Sequence, residues 1–502
     1  MEDERTRRHG DGEGHAETRT MSGQRGAKAG MGGHTGMAGM QQGAMPQGAT
    51  MPGHEMGMGG HEEMMRGMRE RLLWTYAANI ALGLWLLAGP LTFDYGDTAL
   101  AWSDAISGGL IVLLGVLALF PKGDFWGRWG ICLVGIWLLF APLVFWSPSA
   151  AVYTNDTLVG ALLIAFSVLI AMPGTAHHMA MMQPGPDIPP GWTYNPSSWF
   201  QRAPVIALGV VSFLISRYLA AYQLGYIDSA WDPFFGIGTE RILDSDVSRA
   251  WPISDAGLGA VSYMLEALSG FMGSRRRWRT MPWMVLMFFL LVVPLGITSI
   301  VLVVLQPVAV GTWCTLCLLT ALFMLIMIPL AIDEVVAMGQ FLAQARREGK
   351  PLWRTFWAGG TIDGGAEDAR SPDLIPPVPA MAPASVWGVG LPWNLLLSAG
   401  LGLWLMATPA VLGSDRAAAD SDHLVGALVV TVAVIALAEV VRAARFLNVL
   451  FGVWIIVAPW LLGGSTASGT VNGLIVGGLL IALGIPRGPV RERYGGWNRW
   501  IV

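Results

Sequence analysis

Apolar residues in this chain come in long, nearly unbroken runs. After a polar opening segment, about twelve such runs follow, near 72–93, 103–120, 129–146, 156–172, 204–224, 256–273, 281–305, 313–332, 393–412, 423–441, 446–463 and 471–486. Each is long enough, or nearly so, to cross a bilayer as a helix of about 20 residues. In lipid the backbone must satisfy its own hydrogen bonds, so runs of this length predict helices. The expected fold class is an all-α polytopic membrane protein of about 12 transmembrane helices, a central four-helix bundle flanked by two four-helix repeat blocks. The segments are a tail over 1–65, repeat helix pairs over 72–173, the bundle over 199–345, a linker over 346–390 and repeat pairs again over 391–487.

The outer runs repeat. Gly83, Trp85 and Pro90 recur at the same spacing as Gly135, Trp137 and Pro142, as Gly402, Trp404 and Pro409, and as Gly452, Trp454 and Pro459. Each Pro is followed, 17 or 18 residues on, by Gly108, Gly160, Gly426 or Gly477. The unit is therefore a helix pair. The small residue permits close helix contact, the Trp anchors or packs, and the Pro ends or kinks the first helix. Nothing in these units supplies a nucleophile, a metal set or a buried charge chain, so they read as packing scaffold or as walls of a ligand or lipid site.

Charge orients the runs. One set of flanks carries Arg66, Arg69, Arg71, Lys122, Arg128, Arg202, Arg275, Arg276, Arg277, Arg279, Arg346, Arg347, Lys350, Arg354, Arg442, Arg445, Arg487, Arg491 and Arg493, and the alternate flanks only Arg241, Arg249 and Arg416. Basic loops stay in the cytoplasm, so both termini are expected there, in a multi-pass plasma (inner) membrane protein. Of 502 residues, 53% are hydrophobic and 13% charged, with 64 Gly and 23 Trp, as membrane interfaces and close helix packing favour. A net charge of −4 argues against nucleic acid as a partner. No Walker loop, dinucleotide fingerprint or Ser-His-Asp pattern appears. The linker ends rich in proline at Pro376, Pro377 and Pro379.

The candidate chemistry is Trp313-Cys314-Thr315-Leu316-Cys317, at the outer end of the eighth run. Two cysteines three residues apart lie one helical turn from each other, in reach of a disulfide or a shared soft metal. A helix N-terminus favours the thiolate, and the outer compartment permits a disulfide. A structural thiol pair and a two-ligand metal site are the bland alternatives, the latter disfavoured because no His lies in the outer loops of this bundle. The third cysteine, Cys132, sits alone in an apolar run and reads as an inert small hydrophobe. Inside the bundle runs lie Arg217 and Glu266, both roughly 10–15 Å below the outer surface at ~1.5 Å rise per residue, which suggests either a pair tying two helices or two charges that snorkel apart.

The tail carries His54, Met56, Met58, His61, Met64 and Met65, and a loop carries His177, His178, Met179, Met181 and Met182. Such clusters can hold copper, but a solvated tail and loop are the plainer reading, and no residue is assigned to a metal. The tail lacks the apolar core of a signal peptide and is expected to stay attached and disordered.

The repeat pairs resemble the SPW repeat of membrane proteins, whose motif survives here as Ala458-Pro459-Trp460 in the last copy. The resemblance implies membrane location and little about activity. The central segment resembles a bacterial branch of the vitamin K epoxide reductase family over about 150 residues. The matching stretches are Asp232-Pro233-Phe234-Phe235-Gly236, Gly238-Thr239, Trp251-Pro252-Ile253-Ser254-Asp255-Ala256-Gly257-Leu258-Gly259-Ala260, and Trp313-Cys314-Thr315-Leu316-Cys317. That resemblance implies a four-helix transmembrane bundle whose cysteine pair, at the outer end of the last helix, faces a bound quinone of the ubiquinone or menaquinone type. It implies that Cys317 lies nearer the quinone, that Cys314 exchanges with an external thioredoxin-like dithiol protein, and that Ser254 and Asp255 stand where the family hydrogen-bonds the quinone. A thiolate passing electrons to a quinone needs a second thiol to resolve as a disulfide, an apolar pocket, and a donor for the carbonyl.

One departure stands out. The family usually has a second cysteine pair in the loop between its first two helices, whereas here Phe235 and Leu243 stand roughly at those positions. Three functions follow: a quinone-linked thiol–disulfide oxidoreductase of the membrane, a non-catalytic scaffold or quinone/lipid binder that keeps the fold, and a metal-handling membrane protein.

Overall fold

The computed structural model describes residues 69–169, 176–372 and 378–501, together with Glu63, Arg66 and Gly67. The tail expected over 1–65 thus lies outside the described residues except for Glu63, as does the proline stretch 373–377. Among the described residues, eleven helices are long and apolar enough to cross a membrane. The remaining expected span, 256–273, is the 17-residue helix Asp255–Phe271.

The first repeat block consists of Leu73–Thr92, Thr98–Ala118, Asp124–Val144 and Ala150–Ile164, the last continued by a π turn, Ala165–Leu169. The bundle follows as Trp199–Gln223, Asp255–Phe271, Pro282–Leu305 and Thr315–Arg347, termed here the first to fourth bundle helices. The second block is Trp393–Leu412, Arg416–Ile435, Phe446–Leu461 and Ala467–Gly484. Pro90, Pro142, Pro409 and Pro459 all sit near the C-terminal ends of their helices, where the lost i→i−4 bond and the clash with the preceding turn disturb only the last turn or so.

The repeat motif has a geometric reason. A Cβ on Gly108 would fall 2.7 Å from the Gly83 carbonyl oxygen, and one on Gly160, Gly426 or Gly477 would fall 2.6, 2.6 or 2.5 Å from that of Gly135, Gly402 or Gly452. The two helices of each pair therefore cross backbone to backbone at their glycines. Each Trp reaches across to the other pair of its block. Trp85 Nε1 donates to Asn155 Oδ1 at 2.8 Å, and Trp137 Nε1 returns a bond to Ser103 Oγ at 3.0 Å. In the second block Trp404 donates to Asn472 at 2.8 Å and Trp454 to Ser421 at 3.0 Å. All four acceptors stand five residues before the second-helix glycine. The indole thus fixes one pair against its sister, a role the sequence left between anchoring and packing.

Inside the bundle, Val205, Tyr263, Phe288, Val292, Met324, Met327 and Leu330 form the core. The fourth helix runs for 33 residues, well beyond the apolar run 313–332. Its last turns bury Ala337, Phe341 and Ala345 in a second core with Ile188, Trp192, Tyr194, Trp278, Ile362, Val440, Tyr494 and Ile501. The stretch expected as a linker does connect the bundle to the second block, and it is also packed, through Ile362, into this layer at the arginine-bearing end. An apolar run marks the width of a membrane and not the length of a helix, so the extension was not visible in the run.

Cys132 is 5% exposed among Leu139, Leu143, Tyr153 and Val261, and it is free. The expected Arg217–Glu266 pair does not form. Arg217 turns outward to the first repeat block, where its Nη2 donates to Thr154 Oγ1 at 2.6 Å and its guanidinium lies over the Tyr153 ring at 4.9 Å. Glu266 points into the bundle, 1% exposed, with neither carboxyl oxygen hydrogen-bonded. Equal depth put both residues at one level, but depth says nothing about the face of the helix each occupies.

Candidate functional site

The third bundle helix ends in a π turn, Gln306–Val310, and Gly311 reverses the chain at φ 75°. This left-handed conformation favours glycine. The fourth helix then starts with Cys314 as its cap: the Cys314 Sγ accepts from the Cys317 N–H at 3.1 Å. Cys314 and Cys317 form a disulfide with their Cα atoms 5.3 Å apart. The Cys314 N–H donates to Gln306 Oε1 at 2.9 Å, which ties the pair to the preceding helix. Cys314 is fully enclosed, while Cys317 is half-buried.

What encloses Cys314 is the loop after the first bundle helix. Asp232 Oδ1 accepts from Thr315 Oγ1 at 2.5 Å and from the N–H groups of Phe234 and Phe235. Its Oδ2 accepts from Thr239 Oγ1 at 2.8 Å, Thr239 N at 3.1 Å and Thr315 N at 3.3 Å. One carboxylate thus holds both the loop and the first residue of the cysteine helix. Burial by itself would raise the Asp232 pKa, but the bonds from Thr315, Phe235, Thr239 and Phe234 overcome it and hold the carboxyl well below its usual range. The loop lies close because position 238 is glycine: a Cβ there would meet the Trp313 carbonyl oxygen at 2.1 Å. Beyond it, Leu243 is buried against Leu219, Ala230, Cys314 and Leu316, while Phe235 is exposed.

Cys317 opens onto a cavity of about 340 Å³ lined from all four bundle helices. Its walls are mainly apolar, with Leu219, Leu243, Leu290, Leu295 and Leu302. Polar groups gather near the cysteine end as Ser248, Asp255 and Gln306, and deeper as Ser262, Tyr263 and Thr320. Of the four residues singled out from sequence, Cys317 and Asp255 line this cavity and Cys314 lies behind the disulfide. Ser254 is not on the wall. It is the buried cap of the second bundle helix, accepting from Gly257 N at 2.9 Å and donating to Gln223 Oε1 at 2.5 Å. Asp255 Oδ1 accepts from Gln223 Nε2 at 2.5 Å and Ser248 Oγ at 2.8 Å.

Gln306 was missed by the sequence reading, although a signal existed: it directly follows the apolar run 281–305 and is the single carboxamide between 281 and 310. Its oxygen is taken by Cys314 N–H, so its NH₂ is the donor that remains beside the pair. His423 was missed as well. It belongs to the second repeat block, and its ring lies 6.0 Å from that of Trp313. It is supplied by a neighbouring block and not by the bundle's own loops, so the composition of those loops carries no sign of it. Among the described residues no group of three or more His, Cys, Asp or Glu side chains could hold a metal ion.

The Asp232 clasp yields a measurable expectation. Asp232→Ala removes six hydrogen-bond acceptor contacts, each worth about 1.5–3 kcal/mol where the acceptor is charged. Only part of that is lost where water replaces protein, so alkylation of reduced Cys314 should speed up roughly tenfold or more, as ~1.4 kcal/mol of opening free energy suffices for tenfold. Unchanged labelling would show that the carboxylate does not hold the loop. Because the folded carboxyl is depressed, its stabilisation is complete above about pH 4 and is lost as pH falls further toward the folded value.

Comparison with known families adds to this geometry. Residues 203–332 match the vitamin K epoxide reductase family, and residues 73–170 and 392–486 match the SPW repeat domain. The first match takes in the cavity, the clasp and both cysteines of the pair, and the second takes in both outer blocks. No curated protein and no solved structure matches the chain.

Proposed function

We propose that this protein is an integral-membrane thiol–disulfide oxidoreductase of vitamin K epoxide reductase type, which passes electrons from an external thioredoxin-like dithiol protein through Cys314 and Cys317 to a membrane quinone. The observation that carries this reading is the position of Cys317: one sulfur of a disulfide opens onto an apolar cavity bounded by four membrane helices. At about 340 Å³ the cavity is of the size that small-molecule sites usually have, roughly 300–1,000 Å³. Apolar walls with a few polar groups at one end suit the headgroup of a ubiquinone or menaquinone type. A quinone in this place supplies a two-electron, two-proton acceptor. The Gln306 amide would donate to the carbonyl nearer Cys317, and Asp255, braced by Gln223 and Ser248, would set the polar edge. Ser254 would act one step back, holding Gln223 in place.

Cys314 is the exchanging sulfur: once the Asp232 clasp opens, a partner thiolate attacks it and frees Cys317, and the partner's second thiol then displaces Cys314, which leaves the partner oxidised and Cys314 and Cys317 as the dithiol that reduces the quinone. The uneven arginine distribution supports cytoplasmic termini and a cysteine pair at the outer face. The repeat blocks, 72–173 and 391–487, brace the bundle over 199–345, as contacts such as Trp313 with His423 indicate.

A second reading, a non-catalytic scaffold or quinone/lipid binder, draws on two observations: Cys314 is fully enclosed, and buried Leu243 stands where a relay cysteine would be expected. Thiol trapping in cells, with and without a competitor for the quinone, separates the two. The oxidoreductase reading expects reduced Cys314 and Cys317 to accumulate when the competitor is present. A pair whose redox state ignores the competitor would favour the scaffold. Metal content measured with and without residues 1–65 addresses the metal-handling alternative.

A further inference from the structure

The second bundle helix carries a polar stripe on its inner face. Ser262, Tyr263, Glu266 and Ser269 follow at helical spacing, and three of them are buried: Tyr263 at 3%, Glu266 at 1% and Ser269 at 8% exposure. Ser262 and Tyr263 line the cavity that Cys317 opens onto. Glu266 is the next turn, about 4.5 Å farther along the axis.

Among the described residues nothing neutralises it. Arg217 is turned to Thr154, Arg202 donates to the carbonyls of Gly270, Met272 and Gly273, and Arg277 is held by Glu334. Neither oxygen of Glu266 has a hydrogen-bond partner. An ionised carboxylate without a partner is costly inside a membrane bundle, so the resting form is the acid, with a transferable proton. A leucine would pack this position more favourably, so the carboxyl costs stability and invites a functional reason. One turn beyond lies a void of about 10 Å³ lined by Gly270, Arg202, Arg277 and Glu334. That is near the volume one water needs, about 10–15 Å³, and it lies toward the arginine-bearing end.

The Tyr263 hydroxyl donates to the Thr320 carbonyl at 3.3 Å in this resting arrangement. We propose that Glu266 is the proton-relay residue of the bundle: when that hydroxyl turns from Thr320 to Glu266 it passes the carboxyl proton to the quinone oxygen turned away from Cys317, and Glu266 is refilled from the arginine-bearing end. This inference rests on the quinone reading above. Closing the Cys314–Cys317 disulfide from the dithiol releases two electrons and two protons. Both electrons go to the quinone. One thiol proton goes to the oxygen nearer Cys317 and the other leaves at the cysteine end. The second quinol proton comes from Glu266, whose carboxylate then takes up one proton from the opposite end. A proton thus disappears at one end of the bundle and another appears at the other. Glu266 acts through Tyr263 and serves as a relay, not as a group in contact with the reacting atoms.

The test uses the full chain in proteoliposomes with a short-chain ubiquinone as probe and a small dithiol as reductant, for the wild type and for Glu266→Gln, Glu266→Asp and Glu266→Leu. In Glu266→Gln, quinol formation in single turnover should fall tenfold or more, while quinone binding, read by tryptophan quenching, stays within twofold. Reduction of the disulfide by the dithiol should be unchanged, and Glu266→Asp should recover part of the rate. Thermal unfolding should move the other way, with Glu266→Leu more stable than wild type, which a merely structural glutamate would not allow. Glu266→Gln turning over at the wild-type rate overturns the relay and leaves the quinone reading standing. A wild-type chain that binds no quinone overturns both.

Discussion

In a Cys317→Ser variant, quinone-dependent oxidation of thiols is expected to fall by roughly 10³-fold or more, because a covalent redox step that loses one of its two sulfurs has no substitute. The informative contrast is with Cys314→Ser. Cys314 caps the fourth bundle helix, where the free N–H groups favour its thiolate. With Cys317 absent, Cys314 should attack a thioredoxin-like protein whose single remaining active-site cysteine carries thionitrobenzoate, releasing that thiolate, and the mixed disulfide, with no further thiol on either side to resolve it, should persist on a non-reducing gel. With Cys314 absent, Cys317 faces the cavity and should capture little. Equal capture by both variants would sink the assignment of roles. Because Cys314 is enclosed by the loop that Asp232 fastens, adding Asp232→Ala to Cys317→Ser should speed the capture by roughly tenfold, in step with the alkylation rate. The two experiments read the same opening by different chemistry.

The second large effect lies at the opposite end. Arg277 binds Glu334 bidentately, Nε to Oε1 and Nη2 to Oε2 both at 2.6 Å, with side chains 3% and 5% exposed. Its Nη1 also donates to the Ser269 carbonyl at 3.0 Å, and the Ser197 hydroxyl donates to Glu334. The pair therefore joins the turn between the second and third bundle helices to the fourth helix and to the chain entering the first. Arg277→Met should destabilise the fold by about 3–5 kcal/mol, because it leaves a buried carboxylate with only a serine partner. Replacing both residues, Arg277→Met with Glu334→Leu, should restore most of the loss, since the cost arises from the orphaned charge and not from the missing attraction. Thermal unfolding in detergent checks both, and a single variant as stable as wild type would refute the keystone role of the pair.

Some of this was legible in the chain because membranes impose coarse rules. Run length gave helix number, since a bilayer core of about 30 Å demands about 20 apolar residues. The repeat was legible because Gly108, Gly160, Gly426 and Gly477 are forced by backbone contact, and such a constraint leaves a fixed residue type at a fixed spacing. Cys314 and Cys317 were legible for the same reason: a disulfide across one helical turn needs both positions. Gln306 and His423 were not singled out, because each acquires its meaning from a neighbour distant in sequence. A lone amide at the end of an apolar run, or a histidine in a repeat helix, is ordinary until Cys314 or Trp313 lies beside it.

By itself, then, the sequence determined the class of the fold, the repeat and the position of the cysteine pair, all of which follow from composition and local spacing. Tertiary structure decided which side chains face one another. It turned Arg217 outward to Thr154 and left Glu266 alone in the interior. It moved Ser254 behind the cavity wall, and it closed the loop over Cys314 through a single carboxylate at Asp232. The physical reason is directional. Hydrophobic burial fixes how deep a residue lies, whereas the face it occupies depends on helix rotation, which is set by packing against partners that no local pattern names.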